Sequence, residues 1–396
     1  MIESTSTRRH LPILFFLLYA LTAGSGAVYN TFMPVHLSNI GFSGTQIGFL
    51  LALGPLMILV SQPFWGTTGD RSRSVNRVFR WILGGSALTV AIIPLTQNYY
   101  ILLVIACAYA FFNSPAFAIQ DTLTLQAIEK TNIRYGTVRI GSTTGFAVTS
   151  IVAGLIAKWD LRALFPLAGL LALLSFLLTY RLPTITGHQT RENRMSPAVL
   201  LKNRELILLT AFCFLCMLSM GYYNSFFSIY FVELGGDSSQ LGVFWFISAL
   251  VEIPFLLLAE RIIKRFGIHR TLLVSGIVMC IRWLLLFFVQ GVFGAMLTGI
   301  LHGYSFIVLV YSMATYINRH VPPELKSTGQ NLQGLFGIGI PKILASFFGG
   351  MANDWIGIRP VFLICALINI FAIAVIGVAI FRHRKLQAIR AKCKLK

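Results

Sequence analysis

Twelve apolar stretches, each about 20 residues or longer, run along this chain at roughly 11–37, 45–68, 76–96, 98–128, 136–157, 162–181, 206–233, 239–262, 270–291, 293–319, 327–353 and 357–381. Each is long enough for a helix to cross the ~30 Å hydrocarbon layer of a bilayer. No water reaches backbone N–H and C=O groups in that layer, so every stretch is expected to be helical. Breaks such as Ser43-Gly44, Gln97-Asn98 and Gly235-Gly236-Asp237 supply short turns. The one long polar interruption, 182–205, divides the spans six and six. The expected fold is an all-α integral membrane protein: a six-helix bundle over 1–181, a cytoplasmic linker over 182–205, and a second bundle over 206–396 with a basic tail.

Composition agrees. Of 396 residues, 56% are hydrophobic and only 11% charged, against about 25% charged in soluble domains. Lipid must therefore cover much of the surface. A net charge of +19 would suggest nucleic acid in a soluble chain, but here lysine and arginine sort by topology. With the N-terminus in the cytoplasm, Arg71, Arg73, Arg77, Arg80, Lys130, Arg134, the linker, Arg261 to Arg270, Arg319, Lys326 and the tail from Arg382 all lie inside. Only Lys158, Arg162 and Arg359 fall outside. Both termini are thus expected in the cytoplasm and the protein in the cell (plasma or inner) membrane. Nucleic acid is not needed to explain the charge.

Other classes fit poorly. No HExxH or GxSxG pattern is present and the histidines are scattered, so no enzyme, cofactor or metal site is expected. The longest loop is too short for a soluble signalling domain. Cys107, Cys213, Cys216, Cys280 and Cys365 fall in apolar segments, and Cys213-x-x-Cys216 reads as two small packing residues. The first apolar run is too long for a cleavable signal peptide.

Buried charge is the informative feature. "YGTVRIGSTTGF" (Tyr135 to Phe146) places Arg139 one helical turn inside a span, where a guanidinium costs roughly 2.5 kcal/mol or more. Asp121 lies as far before Lys130 as Arg139 lies after it, so on an antiparallel helical hairpin the two sit at one depth. They can neutralise each other and keep spare hydrogen-bonding capacity; the alternative is that Arg139 snorkels to the interface. Farther along, Glu252, Arg282, His302 and Lys342 stand roughly 10 to 17 residues from the cytoplasmic boundary, which is mid-membrane at about 1.5 Å per residue. Ionisable groups of both signs at one depth point to a shared polar interior, or Glu252 and Arg282 form a neutral pair that holds helices together.

Gly66-Thr67-Thr68-Gly69-Asp70-Arg71 resembles the G-x-x-x-D-R/K signature of the major facilitator superfamily, although Ser72-Arg73-Ser74 departs from the fuller pattern. The resemblance implies a conformational latch at Gly66, Asp70 and Arg71, with the acid capping a helix end. Pro63-Phe64 before Asp70-Arg71 is echoed by Pro254-Phe255 before Glu260-Arg261, as two parallel six-span repeats of a rocking transporter would require. The series Asp121, Arg139, Glu252, Arg282 and His302, with Tyr135-Gly136-x-x-Arg139 and Gly145-Phe146, resembles the lactose permease-like oligosaccharide:proton symporters and the related phenylpropionate permeases. This implies substrate binding at Asp121 and Arg139 and proton coupling at Glu252, Arg282 and His302. The family's stacking tryptophan is Phe146 here, its proton-carrying glutamate is Ser305, and its span-seven aspartates give way to Tyr222, Tyr223 and Asn224. Lys342 is left with no obvious acidic partner.

The expected function is proton-coupled symport of a small polar solute, a sugar or nucleoside-like molecule. Asp121, Arg139, Phe146, Tyr223, Asn224 and Lys342 would bind it; protons and the lipid bilayer are the other partners, and the chain would act as a monomer. An aromatic carboxylate, or export in place of import, are the alternatives.

Overall fold

A computed structural model describes residues 5–129, 131, 133–185, 200, 203–322 and 325–394. Lys130, the expected hairpin tip, and most of the 182–205 linker lie outside these residues. Among the described residues twelve helical stretches are long and apolar enough to cross a membrane. We number them spans 1 to 12: Leu11–Asn39, Gly44–Arg71, Val75–Leu95, Tyr99–Ile128, Tyr135–Ala157, Leu161–Arg181, Arg204–Glu233, Ser238–Phe255, Ile268–Phe288, Val292–His320, Thr328–Ile356 and Ile358–Gly377.

The helices begin where side chains satisfy their first N–H groups. Ser43 Oγ accepts from Gln46 N at 3.2 Å while Gln46 Oε1 accepts from Ser43 N at 3.0 Å, a capping box that opens span 2. Asp237 and Gln240 repeat it at span 8, with Asp237 Oδ1 accepting from Gln240 N at 2.7 Å and Gln240 Oε1 from Asp237 N at 3.0 Å. Two residues before each cap stands a glycine in the left-handed region, Gly41 at φ 89° and Gly235 at φ 88°. Spans 2 and 8 hold the same place in their halves, so the repeat hinted at by Pro63-Phe64 and Pro254-Phe255 extends to turn geometry.

By contact the chain forms two compact units, Met1–Arg191 with Phe231–Ala249, and Glu192–Tyr230 with Leu250–Lys396. The 231–249 segment, expected in the second bundle, packs with the first unit. Glycines account for it: a Cβ on Gly242 would lie 2.3 Å from the Ser150 carbonyl oxygen, and one on Gly154 2.7 Å from that of Ser238. Elsewhere in this unit, span 1 packs on spans 5 and 6, and span 3 on spans 4 and 6. In the other unit span 9 packs on spans 10 and 12, and span 7 meets span 11 through Gly221 against the backbone of Lys342 and a 2.8 Å hydroxyl pair of Ser225 with Ser346.

Spans 3 and 6 carry 3₁₀ turns only at their ends; among the described residues three spans are interrupted within their length, each shortly before a charged residue singled out above. Span 4 breaks between Tyr99–Asn113 and Ala116–Ile128, ahead of Asp121. Pro115 has no N–H for the Phe111 carbonyl, an orphan that hydrocarbon would not forgive; the Trp65 indole donates to it at 3.1 Å. Span 10 runs as a 3₁₀ turn over Thr298–Leu301, ahead of His302. Span 11 widens to a π-helix over Gln333–Gly339, ahead of Lys342. Such turns re-aim the helix that follows and are common at functional sites.

Candidate substrate and coupling site

In the first unit Asp121 is held from two sides. Arg139 Nη1 donates to its Oδ2 at 2.5 Å, and Tyr19 Oη of span 1 donates to its Oδ1 at 2.5 Å. Arg139 Nη1 also bonds the Tyr135 hydroxyl, one turn earlier on span 5. The matched depth expected of Asp121 and Arg139 thus appears as an ion pair. Their side chains keep 28% and 46% of their exposure, so the pair is reachable. Each carboxylate oxygen retains a lone pair, and Nε and Nη2 of Arg139 donate to nothing among the described residues. That is free capacity for acceptor and donor contacts with one polar molecule.

Tyr19 reaches this pair because span 1 lies almost backbone to backbone on span 5. A Cβ on Gly141 would sit 2.3 Å from the Phe16 carbonyl oxygen, and one on Gly145 2.1 Å from that of Ala20. No side chain stands there to yield. Phe16 and Ala20 straddle Tyr19, so the two glycines set the distance that lets its hydroxyl meet Asp121. One turn beyond, half-buried Phe146 stands edge-on to Trp245, centroids 6.5 Å apart at 78°.

In the second unit Arg282 is fully buried. Its Nη1 bonds His302 Nδ1 at 2.9 Å, and His302 Nε2 lies 3.2 Å from Glu252 Oε1. Glu252 and Arg282 therefore do not form the direct pair that sequence allowed for; the imidazole intervenes. The guanidinium carbon rests 4.2 Å from the centroid of Tyr223 and 5.3 Å from that of Trp283, contacts that offset part of the burial of charge. A guanidinium can only donate. His302 Nδ1 must accept, so the ring proton sits on Nε2 and is directed at the Glu252 carboxylate.

Tyr223 differs from expectation. Its ring is fully buried and overlain by Arg282, so it has no free face for a solute; its place is beneath the Arg282 guanidinium. Asn224, next on span 7, is half-buried. Lys342 is also half-buried and forms no hydrogen bond or ion pair among the described residues. Asp70 and Arg71 lie in the exposed last turn of span 2, which Ser72 closes by bonding the Gly69 carbonyl through both N and Oγ. Asp70 makes no hydrogen bond among the described residues, so the helix-capping contact implied by its motif is not made here. Tyr19 was missed by sequence reasoning: it lies 102 residues from Asp121, and nothing local separates it from other aromatic residues of span 1.

A twelve-span chain with ionisable pairs inside each half is built as a membrane transporter. Residues 9–364 match the family model described as the MFS_1 like family, and the chain belongs to that family, within the major facilitator superfamily. It is 26% identical over 375 residues to a maltose permease of Geobacillus stearothermophilus, which covers 94% of each chain. It is 26% identical over 359 residues to a probable 3-phenylpropionic acid transporter of Escherichia coli (strain K12), covering 86% of this chain and 91% of that one. The crystal structure of the nucleoside transporter NupG superposes with a TM-score of 0.82 at 18% identity, covering 94% of this chain and 99% of that one. The chain is a multi-pass membrane transporter and not an enzyme.

Proposed function

We propose that this transporter is a proton-coupled symporter of a small polar solute, a sugar or nucleoside-like molecule, acting as a monomer in the cell membrane with both termini in the cytoplasm. The observation that carries the reading is the chain Glu252–His302–Arg282, a carboxylate, an imidazole and a guanidinium in line inside one bundle. While Arg282 donates to Nδ1, the imidazole cannot take a second proton. A transition that withdraws Arg282 frees Nδ1, so proton uptake and helix movement become linked. Gly66, Asp70 and Arg71 would latch that transition.

The solute would lie on Asp121 and Arg139, carboxylate accepting from hydroxyls and guanidinium donating to them, with Phe146 against an apolar ring face and Asn224 and Lys342 as further polar contacts. Two relatives named above, a maltose permease and a nucleoside transporter, are named for polyhydroxylated solutes. The test is counterflow in proteoliposomes against a panel of sugars, nucleosides and carboxylates, with internal pH recorded. Counterflow of a neutral solute, together with acidification of the vesicle interior when that solute enters down its own gradient, supports the reading. Transport indifferent to a proton gradient overturns it.

Lys342 favours a second reading. An ammonium with no partner among the described residues would receive a carboxylate well, and one relative is named for 3-phenylpropionic acid. The same panel separates the two, because an aromatic carboxylate would then outcompete every sugar.

A further inference from the structure

In the second unit a cavity of about 500 Å³ lies between spans 7, 11 and 12, away from the charged cluster. It is walled by three helical stripes: Leu206 to Leu215 on span 7, Leu332 and Phe336 on span 11, Phe371 and Val375 on span 12. Thr210 brings the only polar side chain, and its hydroxyl is already spent on Gln333 Oε1 at 3.2 Å. The rim residues Ile207, Phe336 and Phe371 are exposed apolar side chains. A polar solute has nothing to bind here, and an exposed apolar rim on a helix bundle of this composition is what a lipid-facing surface presents.

We infer that this cavity is a binding site for an acyl chain of an anionic phospholipid, from the leaflet at the basic end of the bundle. Length is the first reason. Leu206 to Leu215 is ten residues, or nine rises and about 14 Å of helix, which is close to half of the ~30 Å hydrocarbon layer and thus to the reach of one lipid tail. Charge is the second. Exposed Arg204 stands two residues outside Leu206, with no ion pair among the described residues. Its neighbour Glu205 does not neutralise it, because that carboxylate is engaged by His269 at 2.7 Å. The helix that supplies Phe371 and Val375 continues to Lys394 and carries Arg382, Arg384 and Lys385 in sequence. An exposed, unpaired arginine two residues outside an apolar slot of one-leaflet depth, beside a helix whose sequence turns basic, matches an acidic headgroup above a tail.

The occupant would also support span 11. Gln333, held by Thr210, begins the π-helix, and a Cβ on Gly337 would collide with its amide, 2.2 Å from Nε2. The cavity wall and the turn preceding Lys342 are therefore one packed unit.

The full chain is reconstituted in phosphatidylethanolamine vesicles containing a trace of phosphatidylglycerol with a diazirine midway along one tail, irradiated, and mapped by peptide mass spectrometry. Adducts are expected on peptides bearing Phe214, Phe336 and Phe371. The same diazirine on phosphatidylethanolamine should label them less. Ala211→Trp fills the slot and should reduce labelling there to the level of other lipid-facing surface. Arg204→Ala, on the surface and no threat to folding, should lower phosphatidylglycerol labelling about five-fold, as loss of one basic contact to an anionic lipid implies, while leaving the phosphatidylethanolamine probe unchanged. Uniform labelling of all lipid-facing helices, equal labelling by the two headgroups in the wild-type chain, or displacement by an apolar solute but not by phosphatidylglycerol would each overturn the assignment.

Discussion

Glu252 and Arg282 are joined through a third residue: His302 holds Arg282 with Nδ1 at 2.9 Å and Glu252 with Nε2 at 3.2 Å. In a direct ion pair Glu252 would face only a guanidinium, which neither accepts nor gives up a proton. The imidazole between them has its tautomer set by Arg282, and it can take a proton at Nδ1 once Arg282 withdraws. Glu252→Gln should therefore abolish concentrative uptake and solute-driven proton movement, while equilibrium exchange partly survives. His302→Ala should give the same uncoupling, since it cuts the same line. Simultaneous measurement of uptake and internal pH checks both; full proton-driven accumulation in Glu252→Gln would sink the assignment and move suspicion to Asp121 or His302.

Asp121 is gripped by Arg139 and Tyr19, and the two grips predict different phenotypes. Arg139→Lys keeps the charge but loses the planar fork, and Asp121→Asn breaks the pair; each should remove most solute affinity without preventing insertion. Tyr19→Phe deletes only one neutral donor to a carboxylate, worth about 1.5–3 kcal/mol. It should raise the half-saturation concentration about ten-fold or more and leave the maximal rate less affected. Near-normal affinity in Arg139→Lys would argue that the guanidinium does not touch solute.

These two clusters also show what was legible beforehand. Asp121 and Arg139 could be paired by counting, because a tight antiparallel hairpin converts sequence distance into depth. The same arithmetic put Glu252, Arg282 and His302 at one level. It could not say which of the three stands in the middle, since that depends on side-chain reach and on the 3₁₀ turn that aims His302. Tyr223 reads in sequence as a candidate ring platform, yet Arg282 lies over it. Tyr19 was invisible for a different reason: its contact is made by the close approach of two backbones, which leaves only glycines in the sequence.

That approach is itself testable. Even a methyl on Gly145 would stand 2.1 Å from the Ala20 carbonyl oxygen, and backbone cannot swing aside as a side chain can. Gly145→Ala should cost about 1–3 kcal/mol through forced separation of the helices and weaken solute binding as Tyr19 draws away from Asp121. Gly54→Ala on span 2 is the control, since nothing lies within 4 Å of its Cβ position. Thermal unfolding in detergent, followed by binding, should separate the two variants clearly; equal behaviour would refute the account of span 1.

Trp65 should matter to stability through one bond. Trp65→Phe leaves the Phe111 carbonyl with neither the Pro115 N–H nor the indole, an unsatisfied acceptor worth about 1–3 kcal/mol. Pro115→Ala in the same background returns an N–H to that carbonyl. The double variant should therefore recover stability beyond the additive expectation. It should not recover uptake, because a straightened span 4 carries Asp121 away from Arg139. Additive stabilities in this cycle would show that the indole bond is incidental.

Lys342 separates the two substrate readings. Its side chain is half-buried and makes no bond among the described residues, and the π-helix that precedes it fixes where it emerges from span 11. Lys342→Gln preserves length and a donor while removing the charge. A sugar hydroxyl accepts from an amide nearly as well as from an ammonium, so neutral-solute uptake should fall only a few-fold, within about 1 kcal/mol. A carboxylate would lose a charge-assisted bond worth about 1.5–3 kcal/mol, and more where water is excluded, so its affinity should drop ten-fold or beyond. Lys342→Gln is therefore expected to leave the polar neutral solute transported and proton-coupled. If it instead abolishes uptake of the preferred solute while Arg139→Lys is tolerated, the preferred solute is an anion and the main site lies in the second bundle.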